Sequence, residues 1–159
     1  MENNALQTVV DAIVQELSSN KNDITLAKAQ KISAAVKEKA KELGVNAVVA
    51  VSNSAARPVL VECMDNSYFA SYDIAVNKAF TVVALKMSTS MLKPLAQPGN
   101  SLYGIQFTNE GKIVIFGGGE PLKNSAGVIV GGLGVSGGTE EQDTLLAEYG
   151  KQFFEKGGI

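Results

Sequence analysis

Gly127-Val128-Ile129-Val130-Gly131-Gly132-Leu133-Gly134-Val135-Ser136-Gly137-Gly138-Thr139 is the stretch on which the fold turns. Residues 128–135 alternate β-branched and apolar side chains with glycine, and read as a last strand. Thr139 then caps a final helix carrying Leu145, Leu146, Tyr149 and Phe153. Glycine lets a second backbone or a ligand come close, and the N–H groups ahead of Thr139 could face an anion. Two familiar phosphate loops do not fit. A Walker A motif needs Gly-Lys-Ser/Thr, whereas Gly138 is followed by Thr139-Glu140. The spacing Gly132, Gly134, Gly137 matches G-x-G-x-x-G, but no βαβ unit follows it. A second cluster, Gly117-Gly118-Gly119-Glu120-Pro121, lies upstream. Both clusters suit tight turns and bulges at a sheet edge as well as a ligand role.

Upstream of these, residues 47–53 and 58–64 are apolar, β-rich runs joined by Ser54-Ala55-Ala56-Arg57, short enough for a hairpin loop. Residues 68–87 return to helical period with Phe69, Tyr72, Val76, Phe80, Val83 and Met87, a stripe expected to lie buried across a sheet. Two helices precede the hairpin. Leu6, Val9, Val10, Ile13, Val14 and Leu17 mark the first, a helical extension over 1–20. The second carries Leu26, Ala29, Ile32, Val36, Ala40 and Leu43 between an N-cap at Thr25 and a C-terminal Gly44. After the long helix, 88–100 reads as a short helix and loop. Residues 102–107, the Asn109-Glu110-Gly111 turn and 112–116 read as a turn-and-strand unit. The expected architecture is α/β of the α+β kind: one domain over 1–159, with an antiparallel sheet of about five strands flanked by helices.

Composition narrows the chemistry. The 159 residues carry a net charge of −2, and six lysines between Lys21 and Lys41 are interleaved with Glu38 and Glu42. That is a solvated helix face, not a nucleic-acid footprint. Histidine is absent, which excludes serine–histidine and cysteine–histidine catalysis and histidine-ligated zinc. The lone Cys63 allows no internal disulfide. Apolar runs are too short to span a bilayer, and Met-Glu-Asn-Asn-Ala has no signal-peptide character, so a cytoplasmic protein is expected.

Several side chains suit ligand chemistry. Met64 and Cys63 are soft metal donors, and alternation at a strand end sends one of them into the core. Tyr68 could stack on a flat ligand or ligate a metal, whereas Tyr72 reads as core. Lys78, on an apolar helix, should snorkel or pair with Asp65, Asp73 or Asp143, and in a pocket would receive a carboxylate. Asp143 equally suits the N-terminus of the last helix. Asp65 with Asp143 or Glu120 would be the only carboxylate pairing to consider, and nothing in the spacing brings them together.

The chain resembles the GlcG/HbpS family, which includes the C-terminal domain of PduO-type cobalamin adenosyltransferases. The segments that carry the resemblance are Cys63-Met64-Asp65-Asn66-Ser67, Ile74 to Thr81, Gly118-Gly119-Glu120-Pro121-Leu122, Gly127 to Gly138, and Asp143. It implies a profilin-like sheet with helices, a homo-oligomer, and binding of haem or a related tetrapyrrole such as a corrinoid. The candidate binding residues, taken from these segments together with Tyr68, are Met64, Asp65, Tyr68, Lys78, Gly118, Gly119, Glu120, Ser136, Gly137 and Asp143. Family patterns are altered at Ser52-Asn53-Ser54-Ala55-Ala56 and at 63–67, and the histidine through which some members ligate iron is missing. The function expected is therefore a small-molecule-binding accessory protein with no assigned catalytic residue. The alternative is a non-enzymatic assembly or partner-binding protein in diol, glycolate or corrinoid metabolism.

Overall fold

The computed structural model describes residues 6–11 and 23–157. Residues 6–11 are helical, with Leu6, Val9 and Val10 exposed; the rest of the expected extension lies outside the described residues. The remaining elements are α1 (Leu26–Glu42), β1 (Val48–Asn53), β2 (Pro58–Cys63), α2 (Phe69–Ala84), α3 (Thr89–Leu95), β3 (Gly119–Lys123), β4 (Ile129–Ser136) and α4 (Glu140–Glu155). The sheet is antiparallel throughout, in the order β2-β1-β4-β3.

Helix ends follow the sequence closely. The Thr25 hydroxyl accepts from Lys28 N–H, and Gly44 takes the left-handed φ of 66° just past Leu43. Thr139 and Gln142 form a reciprocal capping box at the start of α4.

β1 alternates between two cores, as a central strand must. Val49 and Val51 point to one face, where Ala29, Ile32, Val36 and Ala40 of α1 and Leu146 and Ala147 of α4 close the larger core. Val48 and Ala50 point to the other, against Ala75 and Ala79 of α2. The result is three layers: α1 and α4, the sheet, and α2.

The α2 layer corrects the expected packing. Its buried face is Ser71, Ala75, Lys78, Ala79, Thr81 and Val82, not the aromatic stripe. Phe69 is fully exposed and Tyr72 is 49% exposed, so Tyr72 is not core. The cause lies in the sheet. Ala50, Gly134 and Gly119 stand side by side across β1, β4 and β3. A Cβ on Gly134 would sit 2.0 Å from the Ala75 carbonyl oxygen, and one on Gly132 2.4 Å from that of Ala79. The glycines thus form a trough in which the small face of α2 lies backbone-close, and the Ser52 hydroxyl donates to the Ala79 carbonyl at 3.0 Å.

The sheet has four strands rather than about five. Residues 112–116 are not a strand, and 105–107 and 109–111 are single 3₁₀ turns. Asn109, Glu110 and Gly111 all have positive φ (50°, 58° and 75°), which breaks extended backbone. The Val114 N–H donates to the Thr81 hydroxyl at 3.0 Å, so a helix side chain replaces a sheet partner there. The strand forms instead at 119–123, where Pro121 is tolerated because β3 is an edge.

Candidate functional site

The ten residues singled out by the sequence separate into three places. Lys78, Asp143, Gly118 and Ser136 are interior. The Lys78 ammonium donates to the Val135 carbonyl at 2.7 Å and to Asp143 Oδ2 at 2.9 Å. It also lies 4.9 Å from the centroid of the Phe116 ring. The other Asp143 oxygen accepts from Gly138 N–H at 2.9 Å, so one carboxylate holds both the lysine and the turn into α4. Of the three carboxylates open to Lys78 by sequence, the fold selects Asp143. Burial holds Lys78 below the usual lysine range, opposed by the charge and hydrogen bond of Asp143. A Cβ at Gly118 would lie 2.6 Å from Lys78 Nζ, and its φ of 106° is left-handed, so glycine is required where the loop crosses the lysine. Ser136 and Ser71 share a hydroxyl hydrogen bond at 3.1 Å beneath α2. With no exposed surface, Lys78 holds the layers together and does not front a cleft.

Glu120 lies elsewhere, buried on β3 and paired with Lys151 of α4 at 3.1 Å, and it fronts a cleft with Glu148 and Glu155. Burial pushes its carboxyl above the usual range, and Lys151 opposes the shift. Gly119, its neighbour, packs against Thr89 and Val82.

The third place is open. Met64 and Asp65 line a cleft of about 470 Å³ with Lys37, Lys41, Asn46, Cys63 and Asn66, between the end of α1 and the end of β2. A neighbouring cleft of about 430 Å³ is lined by Tyr68, Gly137, Gly138 and Gln142, and the two share Asn46 and Asn66. Asn66 turns the chain with φ 64°, and the Ser67 N–H closes that turn on the Met64 carbonyl at 3.1 Å. The expected alternation holds here. Met64 packs against the core and its Sδ takes the Ala47 N–H at 3.4 Å, while Cys63 is free and exposed.

Lys37 and Lys41, read from sequence as a solvated face, stand one turn apart on α1 and front this cleft. Their spacing was the signal, and only the position of β2 gives it meaning. Lys37 pairs with Glu62 at 2.7 Å and Lys41 with Glu38 at 2.6 Å. Among the described residues no group of three or more Cys, Asp or Glu side chains is placed to hold a metal ion, and no helix is long and apolar enough to cross a membrane.

A four-stranded antiparallel sheet with one glycine-seated helix on one face and two on the other, with an open cleft at the β2–α2 turn, defines a small mixed α/β module. Residues 24–152 match the family described as haem degrading protein HbpS-like, and the chain belongs to that family. It is 47% identical over 125 residues to a 15.0 kDa protein of the dhaT–dhaS intergenic region of Citrobacter freundii, covering 79% of this chain and 87% of that one. It is 38% identical over 117 residues to the corrinoid adenosyltransferase PduO of Salmonella typhimurium, covering 74% of this chain and only 34% of that protein. Among solved structures, a PduOC–haem complex superposes with a TM-score of 0.78 at 34% identity, covering 81% of this chain and 93% of that one.

Proposed function

We propose that this chain is an accessory module that binds haem, or a corrinoid of similar donor preference, at the two adjoining clefts beside the β2–α2 turn. One observation carries the reading: an exposed thiol (Cys63), a thioether (Met64) and an exposed phenol (Tyr68) stand beside two lysines in clefts that share Asn46 and Asn66. Thiolate, thioether and phenolate are the haem-iron donors available to a chain without histidine, so the residues present fit the group. Lys37 and Lys41 would receive its propionates, and Asp65 and Gly137 would border it. Bound haem supplies an iron centre open to ligand exchange or electron transfer. Glu120, Gly118, Gly119, Lys78, Ser136 and Asp143 belong to the frame that holds these clefts in place. The haem complex of the PduOC domain supports the reading.

The test is a haemin titration followed in the Soret region. Saturable one-to-one binding with a shifted band is expected, altered by Cys63→Ser or Tyr68→Phe and less by Met64→Leu. The reading fails if haemin does not saturate, or if a variant lacking all three donors binds like the parent.

Self-association is part of the same proposal. Phe69 and Tyr72, and separately the helical residues Leu6, Val9 and Val10, leave apolar side chains exposed that a second copy of the chain would cover. The lone exposed thiol of Cys63 suits the reducing cytoplasm.

A further inference from the structure

We propose a second binding site, distinct from the clefts above, for a small carboxylate with an apolar body, between the β1–β2 hairpin and the outer face of α2. A cleft of about 340 Å³ there is lined by Val76, Phe80 and Pro58 as apolar walls and by Arg57, Lys112 and Asn77 as polar groups, with no carboxylate in its lining. The clefts at Met64 and at Glu120 both contain acidic side chains. In a chain of net charge −2, a cationic cleft free of acids is a local departure.

The backbone that carries Arg57 is fixed. Arg57 sits on a loop fixed by its own hydrogen bonds: Asn53 Oδ1 accepts from Ala55 N–H at 3.0 Å and from Arg57 N–H at 2.9 Å. The Arg57 carbonyl accepts from Asn53 N–H at 2.8 Å, and Ala56 takes a left-handed φ of 58°. Asp23 reaches across to accept from the Ser54 N–H. Yet the guanidinium of Arg57 and the side-chain amide of Asn77 engage no protein partner among the described residues. Lys112 is anchored from the opposite wall, where its carbonyl accepts from the Thr81 hydroxyl at 3.2 Å. Its ammonium pairs with the exposed Glu110, which is outside the lining.

A planar guanidinium matches a carboxylate in bidentate fashion, and a side-chain amide adds a third donor. Val76 and Phe80, one turn apart, give the apolar body of such a ligand a floor that water alone would cover poorly. A bare inorganic anion would leave that floor unused. The ligand class is therefore a monocarboxylate with a ring or branched chain.

The probe is benzoate, measured by calorimetry and by amide chemical shifts on the full chain. Benzoate should bind saturably and move the Asn77 side-chain amide. Benzyl alcohol and inorganic phosphate should each bind about tenfold more weakly or worse, because one lacks the charge and the other the ring. Arg57→Gln should weaken benzoate by about the same factor, with an unchanged melting temperature and unchanged haemin titration. The proposal is overturned if benzoate leaves Asn77 unmoved, if phosphate binds as tightly as benzoate, or if Arg57→Gln has no effect on affinity.

Discussion

At Lys78 one ammonium is enclosed by four separate pieces of chain: its own helix, the end of β4, the start of α4 and the Gly117-Gly118-Gly119 segment. Removing one partner of such a pair leaves the other charge buried, at a cost of about 3–5 kcal/mol. Lys78→Met should therefore lower the urea midpoint strongly. Adding Asp143→Asn should recover much of that loss, since the amide oxygen can still accept from Gly138 N–H while the stranded charge is gone. A double variant no more stable than Lys78→Met would show that the cost is packing alone. Glu120 gives a pH prediction of opposite kind. Its folded carboxyl is raised by burial, so between the ordinary value of 4.5 and its folded value the native state holds more proton than the unfolded chain. Stability from this group is full below that window and declines as pH rises through it. Glu120→Gln should flatten the dependence, which urea unfolding between pH 4.5 and 7.5 would read. Sequence offered Lys78 three carboxylates and could not choose, because the choice depends on where β4 delivers Asp143.

The element that decides the packing is α2, and it was half legible. Its length and apolar character follow from the sequence, but the aromatic stripe over Phe69 and Tyr72 suggested the wrong inward face. Side-chain size alone favours burying rings. The glycines of β4 reverse that preference, since a trough without Cβ atoms rewards the face that brings backbone closest. Gly134→Ala tests this. Its methyl would meet the Ala75 carbonyl, and either helix or strand must move, for a loss of about 1–3 kcal/mol or more. Denaturant midpoints would show it, and a midpoint equal to the parent's would refute the trough. The strand expected at 112–116 fails for a different reason: three successive positive φ values lie in an ordinary-looking Asn-Glu-Gly turn just before it. The caps at Thr25 and Thr139, by contrast, are local chemistry and were readable as such.

Across the whole molecule, the residues with ligand chemistry are dispersed over the buried Lys78–Asp143 pair, the Glu120 cleft and the clefts beside the β2–α2 turn. The glycines of β4, which suited turns and bulges as well as a ligand role, chiefly seat a helix, while the open clefts draw on Lys37, Lys41 and Asn46, whose roles depend on contacts between distant segments. For self-association, light scattering of the full chain should report a multimer, and Phe69→Glu, at a fully exposed position, should shift it toward monomer without lowering the melting temperature. A monomeric parent would remove that part of the proposal.

The strand order has a consequence for how the chain is made. β1 pairs on its inner side with β4, joining residues 48–53 to 131–136. As the chain leaves the ribosome, the β1–β2 hairpin emerges long before its neighbour, with the hydrogen-bonding edge of Val48–Asn53 open and mostly apolar. Only after residue 136 appears can that edge close and α2 find its seat. The nascent chain therefore passes through an interval of sticky, half-finished sheet, in which a holdase would matter more than in the finished protein.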